Sequence, residues 1–126
     1  MGEIQYMIKL LQGDCLELMK ELPDKSIDMV LCDLPFGVTQ NKWDKIIPFE
    51  SLWGEYNRVV KENGAIVLNC QQPFTSKLIM SNLKNFKYCW VWYKKQCSGF
   101  LMQRNNLYAT VRILPYFIEN NVRTIR

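Results

Sequence analysis

Ile27-Asp28-Met29-Val30-Leu31-Cys32-Asp33-Leu34-Pro35-Phe36 is the stretch on which the fold turns. One charge, Asp28, interrupts an otherwise apolar run, and the run stops at Asp33, where a carboxylate, a proline and an aromatic ring follow within four residues. A parallel strand buried between helices reads this way and ends this way, because in open α/β sheets ligands sit beyond the carboxyl ends of the strands. Upstream, residues 8–11 are predicted as a short strand ended by Gly13-Asp14. Residues 15–22 place Leu16, Met19 and Leu22 at helical spacing before Pro23, and Asp24-Lys25-Ser26 makes a turn. Downstream, a polar loop over residues 36–45 leads into a helix over 48–61, whose Phe49, Leu52, Trp53, Tyr56, Val59 and Val60 recur every three or four positions, with Asn63-Gly64 as its C-cap. A strand over 65–68, a helix over 73–83 and an aromatic strand over 86–93 complete a β-α-β-α-β-α-β order, the pattern of a parallel sheet covered by helices.

The 126 residues make one small domain. Apolar content of 48% with 22% charged residues excludes a disordered chain, and no uncharged apolar run is long enough to span a membrane. No signal peptide is read at the N-terminus, which places the protein in the cytoplasm. Five cysteines without CxxC spacing, Cys15, Cys32, Cys70, Cys89 and Cys97, argue for reduced, mostly buried thiols rather than disulfides or a metal site. With no histidine in the chain, Ser/His and Cys/His nucleophilic chemistry is excluded, so any catalysis falls to carboxylates and backbone groups. Charge is segregated: residues 1–50 carry five Lys/Arg against nine Asp/Glu, whereas residues 51–126 carry eleven against three. The second half is suited to a polyanion or is simply a solvated basic face.

Asp33-Leu34-Pro35-Phe36 fits one chemical task. The lone pair of an exocyclic amino group on a nucleobase is delocalised into the ring, so methylating it requires acceptors for both amine hydrogens. A carboxylate and a backbone carbonyl in one rigid turn supply them. Proline removes an amide donor and fixes φ, and Phe36 offers a face on which an extruded base can stack. The tetrapeptide resembles the (D/N/S)PP(Y/F) signature of the amino-methylating DNA methyltransferases, adenine-N6 and cytosine-N4, with Leu34 in place of the first proline and Phe36 in place of the commoner tyrosine. GDCLELMKELPDKSIDMVLCDLPFG, TQNKWD, IPFESLW and QPFTSKLI extend the resemblance over residues 8–100, to the branch found in phages and bacteria.

The resemblance implies a three-layer, Rossmann-like α/β fold, S-adenosylmethionine as cofactor and double-stranded DNA as substrate, with Asp33, Leu34, Pro35 and Phe36 catalytic. It assigns Asp14 and Cys15 to the adenine end of the cofactor, although Asp14 also reads as a helix N-cap. Trp43 and Asp44 either frame the base pocket or, for Trp43, anchor the loop. Gln72, Phe74, Thr75 and Ser76 are expected to line the same edge, with helix capping by Thr75 or Ser76 as the alternative. Lys94, Lys95 and Arg104, around Ser98-Gly99-Phe100, are expected on phosphate oxygens. Asp33 leans toward adenine, since serine is commoner there in cytosine-directed relatives.

The glycine-rich loop that seats the methionine end of the cofactor is missing, and residues 102–126 read poorly as a fold element, with an apolar patch over 111–118 broken by Pro115. Read one nucleotide earlier with permissible codons, residues 101–126 become a family-like continuation containing KKQPL and IAVFY. The expectation is therefore a partial catalytic domain over residues 1–100 followed by an out-of-frame tail over 101–126, inactive by itself. The competing expectation is a non-catalytic α/β module that holds nucleic acid.

Overall fold

A computed structural model describes residues 7–93 and 111–118. Its elements run α1 (Cys15–Met19), β1 (Ile27–Asp33), α2 (Phe49–Val59), β2 (Val60–Asn69), α3 (Phe74–Ser81), β3 (Phe86–Tyr93) and β4 (Val111–Ile118). The sheet order is β1-β2-β4-β3, with β1 and β2 parallel and β4 antiparallel to both β2 and β3. The sheet is thus mixed rather than all-parallel.

Alternation along the strands sends Val30, Ile66, Phe117 and Phe86 to one face, and α2 and α3 cover that face with Leu52, Trp53, Tyr56, Phe74 and Leu78. The apolar stripe of α2 explains its place: Leu52, Trp53, Tyr56 and Val59 are its buried residues, spaced as one helical face requires. The Trp53 ring lies 4.8 Å from that of Phe117, and its indole N–H donates to Ser81 Oγ at 2.7 Å, which joins α2 to α3. Arg58, at the end of α2, donates to the carbonyls of Met19 and Leu22 and to the carboxylates of Asp24 and Glu55, so one guanidinium secures the end of α1 and the turn before β1.

Four sequence expectations change. Residues 8–11 form no strand; Ile8 and Leu10 are exposed, and no strand of the described residues takes up their backbone groups. β1 is covered on one face only, and Met29 and Leu31 point outward. Asn63-Gly64 does not cap α2, because β2 starts directly at Val60 and residues 61–64 bulge between the Ile27↔Val60 and Met29↔Ala65 pairs. Gly64 serves close approach instead: a Cβ there would stand 2.3 Å from Val60 Cγ1 and 3.0 Å from the carbonyl oxygens of Asp28 and Lys61. Finally, Val111–Ile118 is a strand in the interior of the sheet, with Phe117 fully buried. Pro115, which argued against a strand there, sits opposite Cys89 with its ring buried.

Candidate active site

Parallel pairing in the register Asp33↔Asn69 brings the ends of β1 and β2 to one edge, and the Asn69 side-chain amide donates to Asp33 Oδ1 at 3.0 Å. Asp33 is exposed at this edge. Leu34 turns inward into the core, which accounts for a leucine being accepted at this position, while Pro35 and Phe36 are half-buried. The four residues line a cavity of about 420 Å³ together with Trp43, Asp44, Gln71 and Arg112. The Phe36 ring packs on Phe74 with centroids 5.3 Å apart, and the Arg112 guanidinium lies over it at 5.5 Å. Phe36 is therefore not an open aromatic face: a base stacking there shares the ring with a cation.

Asp14 caps α1, its Oδ1 accepting from the Leu16 N–H at 2.8 Å. Its other carboxylate oxygen makes no hydrogen bond among the described residues. Asp14 and Cys15 line a second cavity of about 550 Å³, which Pro35, Lys42, Trp43, Ile46 and Pro48 complete. Pro35 and Trp43 belong to both cavities and form the wall between them. Burial, and then the Asp14 charge, raises the pKa of the Cys15 thiol, which keeps it protonated at neutral pH.

Trp43 is 72% exposed, which removes the anchor reading, whereas Asp44 beside it is 7% exposed. Asp44 accepts from three successive amides: Gly37 at 2.8 Å, Val38 at 3.0 Å and Thr39 at 2.7 Å. The Thr39 hydroxyl, the Gly37 amide and the remaining donors lower its pKa to about 2. Of the residues expected after β2, Gln72 accepts from the Ser76 hydroxyl and amide and so caps α3, and Thr75 is buried. Gln71 is the one that reaches the cavity, held by the Arg112 side chain at 2.5 Å. Lys94, Lys95, Arg104 and Cys97 lie outside the described residues.

Asn69, Gln71 and Arg112 were not singled out from sequence. Asn69 had a usable signal, since it ends an apolar strand as Asp33 does and parallel neighbours end at the same edge. Nothing local marked Arg112, which enters the site only because β4 inserts into the sheet.

A mixed α/β sheet of this kind, with a polar site at the strand ends, is a Rossmann-like fold. The solved cytosine-N4-specific PvuII DNA methyltransferase superposes with a TM-score of 0.64 at 15% identity over 86% of this chain and 48% of its own. M1.HpyAVI, in a structure described as its SAM complex, gives 0.63 at 20% identity over 90% of this chain and 55% of its own. No family model matches the sequence. The sequence is similar to two type II methyltransferases: M.BamHI of Bacillus amyloliquefaciens, 28% identical over 90% of this chain, and M.HinfI of Haemophilus influenzae, 28% identical over 62% of it. The chain spans 29% of the length of each of these two relatives.

Proposed function

We propose that the chain carries the base-binding half of a DNA methyltransferase site, in which an exocyclic amino group, adenine-N6 in preference to cytosine-N4, receives a methyl group within double-stranded DNA. The observation that carries this reading is the turn Asp33-Leu34-Pro35-Phe36 at the carboxyl edge of β1, lining one cavity and separated only by Pro35 and Trp43 from a second that holds Asp14 and Cys15. Asp33 accepts one amine hydrogen through its carboxylate, oriented by the Asn69 amide, and a main-chain carbonyl of the Leu34-Pro35 segment accepts the other. Phe36 stacks on the extruded base; in the 126-residue chain it shares its ring with Arg112, which belongs to the segment 101–126.

The second cavity suits the adenine end of S-adenosylmethionine. Asp14 has a carboxylate oxygen to receive an amino group, and the exposed start of α1 presents the Cys15 backbone beside it. When bound, the cofactor supplies an electrophilic methyl group. Its methionine end requires a glycine-rich turn that this sequence does not contain; residues 101–126 are proposed as an out-of-frame continuation, although their described part, Val111–Ile118, pairs between β2 and β3. Lys94, Lys95 and Arg104 are assigned to phosphate contacts, and the setting is cytoplasmic.

Labelled S-adenosylmethionine incubated with unmethylated duplex DNA tests the reading. The chain as given should transfer no methyl group, whereas the protein with its reading frame restored should label DNA. Asp33→Ala in the restored protein should reduce transfer about a thousandfold, the scale of losing an essential electrostatic acceptor. Near-normal transfer by that variant, or methylation by the 126-residue chain, refutes the assignment. Phe36→Ala should lose more than Phe36→Tyr or Phe36→Trp, because base stacking is worth about 1–3 kcal/mol; equal losses would mean that the ring only packs on Phe74.

A further inference from the structure

The loop between the catalytic turn and α2 is closed on itself by a charge. Asp44 is nearly buried in a loop whose other residues, Val38 to Lys45, are all exposed, and among the described residues it makes no ion pair. An ionised carboxylate withdrawn from water needs compensating donors, and here three consecutive backbone amides provide them, Oδ1 accepting from Gly37 and Oδ2 from Val38 and Thr39. Successive N–H groups converging in this way form a concavity of the kind that binds anions. Gly37 makes the convergence possible: its φ is +69°, and a Cβ there would lie 3.0 Å from Ile46 Cγ1.

We propose that Asp44 is the positioning residue of the base cavity: by filling the concavity of the Gly37, Val38 and Thr39 amides, it holds Phe36 and Trp43 on the cavity wall. The geometry selects those two because each is the residue immediately before one end of the closure, Phe36 preceding the first amide and Trp43 preceding the carboxylate. The Trp43 side chain is 72% exposed, so apart from the backbone turns in which its carbonyl accepts from Lys45 N–H at 2.9 Å and Asp44 N–H donates to the Asn41 carbonyl at 3.0 Å, little packing holds it, yet it lines both cavities. Asp44 is not itself a base for the reaction. Both of its oxygens are occupied by amides, and a carboxylate with a pKa near 2 does not take up a proton at neutral pH. The mention of a base rests on the function proposed above; the closure does not.

Amide hydrogen exchange and the Trp43 indole signal, followed by NMR on the 15N-labelled full chain, separate the two. In the unmutated chain the Gly37, Val38 and Thr39 amides should exchange about 10- to 100-fold more slowly than those of Gln40 and Lys42, the worth of a charge-assisted hydrogen bond. Asp44→Ala should erase that difference and move the Trp43 indole resonance toward that of an unrestrained tryptophan. Asp44→Asn, which keeps shape and one acceptor, should retain part of it, and both variants should leave the Leu31 and Val67 amides protected. Unprotected loop amides in the unmutated chain, or protection unchanged in Asp44→Ala, overturns the closure. Loss of β1 and β2 protection in both variants overturns the positioning role, since Asp44 would then support the whole domain. Titration with 2′-deoxyadenosine 5′-monophosphate supplies the separate arm: shifts at Trp43 and Phe36 that weaken about tenfold in Asp44→Ala support a positioned base wall, on the scale of one charge-assisted bond. If the nucleotide shifts neither residue in the unmutated chain, the base-binding reading fails, while the exchange rates still decide the closure.

Discussion

Leu68 and Leu31 stand on adjacent, paired strands of one sheet, yet Leu68 is fully buried and Leu31 is 70% exposed. The difference is the face together with the place in the sheet, since Val67, on the face of Leu31 but on the interior strand β2, is only 2% exposed, while Leu31 lies on the edge strand of the described sheet. Leu68 points with Val30, Ile66 and Phe117 toward α2 and α3, whereas Leu31 shares the opposite face with Met29, Val67, Tyr116 and Tyr88, over which no helix of the described residues packs. On that face the aromatic residues partly cover one another, with the Tyr88, Trp90 and Tyr116 rings at centroid distances of 5.1–5.4 Å. Apolar alternation alone thus does not create a core. A second layer has to arrive, and the energetic consequences of substitution should differ between the faces accordingly.

The contrast should be largest at Phe117. Truncating it to alanine removes a buried ring that packs on Trp53 and Phe86, and should cost about 3–5 kcal/mol in urea denaturation. Since that approaches the whole stability of a small domain, Phe117→Leu offers a milder version with the same sign. If Phe117→Ala costs no more than Leu31→Ala, the two faces are energetically alike and the comparison fails. Gly64→Ala probes the bulge beneath the covered face. A Cβ 2.3 Å from Val60 Cγ1 forces β2 away from β1, and a loss of about 1–3 kcal/mol is expected by the same denaturation. A neutral outcome would mean that residues 61–64 yield freely.

Acid sharpens the comparison at the site edge. The pKa of Asp44 is lowered from 3.8 to about 2, so its contribution is fully present above the ordinary carboxylate value and is lost as pH falls from about 4 toward 2. Protection of the Gly37 to Thr39 amides relative to those of Gln40 and Lys42 should therefore persist at pH 4 and fall as the pH drops toward and below 2, and Asp44→Asn should remove this dependence. The smallest effect is expected on the bare face: Leu31→Lys and Met29→Lys should each change stability by no more than about 0.5 kcal/mol while reducing self-association in sedimentation. A large destabilisation there would show that the face is packed after all.

How much of this was legible in the sequence follows the range of the interactions. The spacing of Leu52, Trp53, Tyr56 and Val59 marked α2, residues 86–93 matched β3, and the break from Cys32 to Asp33 located the turn at the strand end, because periodicity and chain-breaking residues act within a few positions. Asp14 was legible as the N-cap of α1, which is the role its geometry displays. The bulge at Gly64 was not, because Asn63-Gly64 has the local chemistry of a helix end and only the approach of Asp28 and Val60 gives the glycine another purpose. β4 escaped for a related reason: Pro115 is a poor strand residue by local propensity, and its place opposite Cys89 exists only once β3 is there to pair with it.

By itself, then, the sequence determined the helices α2 and α3, the strands β1 and β3 and the side-chain types at residues 33–36, since those depend on residue type and spacing along the chain. Tertiary structure decided which partners that chemistry meets. Asn69 reaches Asp33 through strand register, Arg112 reaches Phe36 through a strand inserted between two others, and Asp44 reaches three amides through a loop that returns on itself. Contacts between residues five to seventy-six positions apart come from pairing and closure in space, which no local pattern of residues encodes.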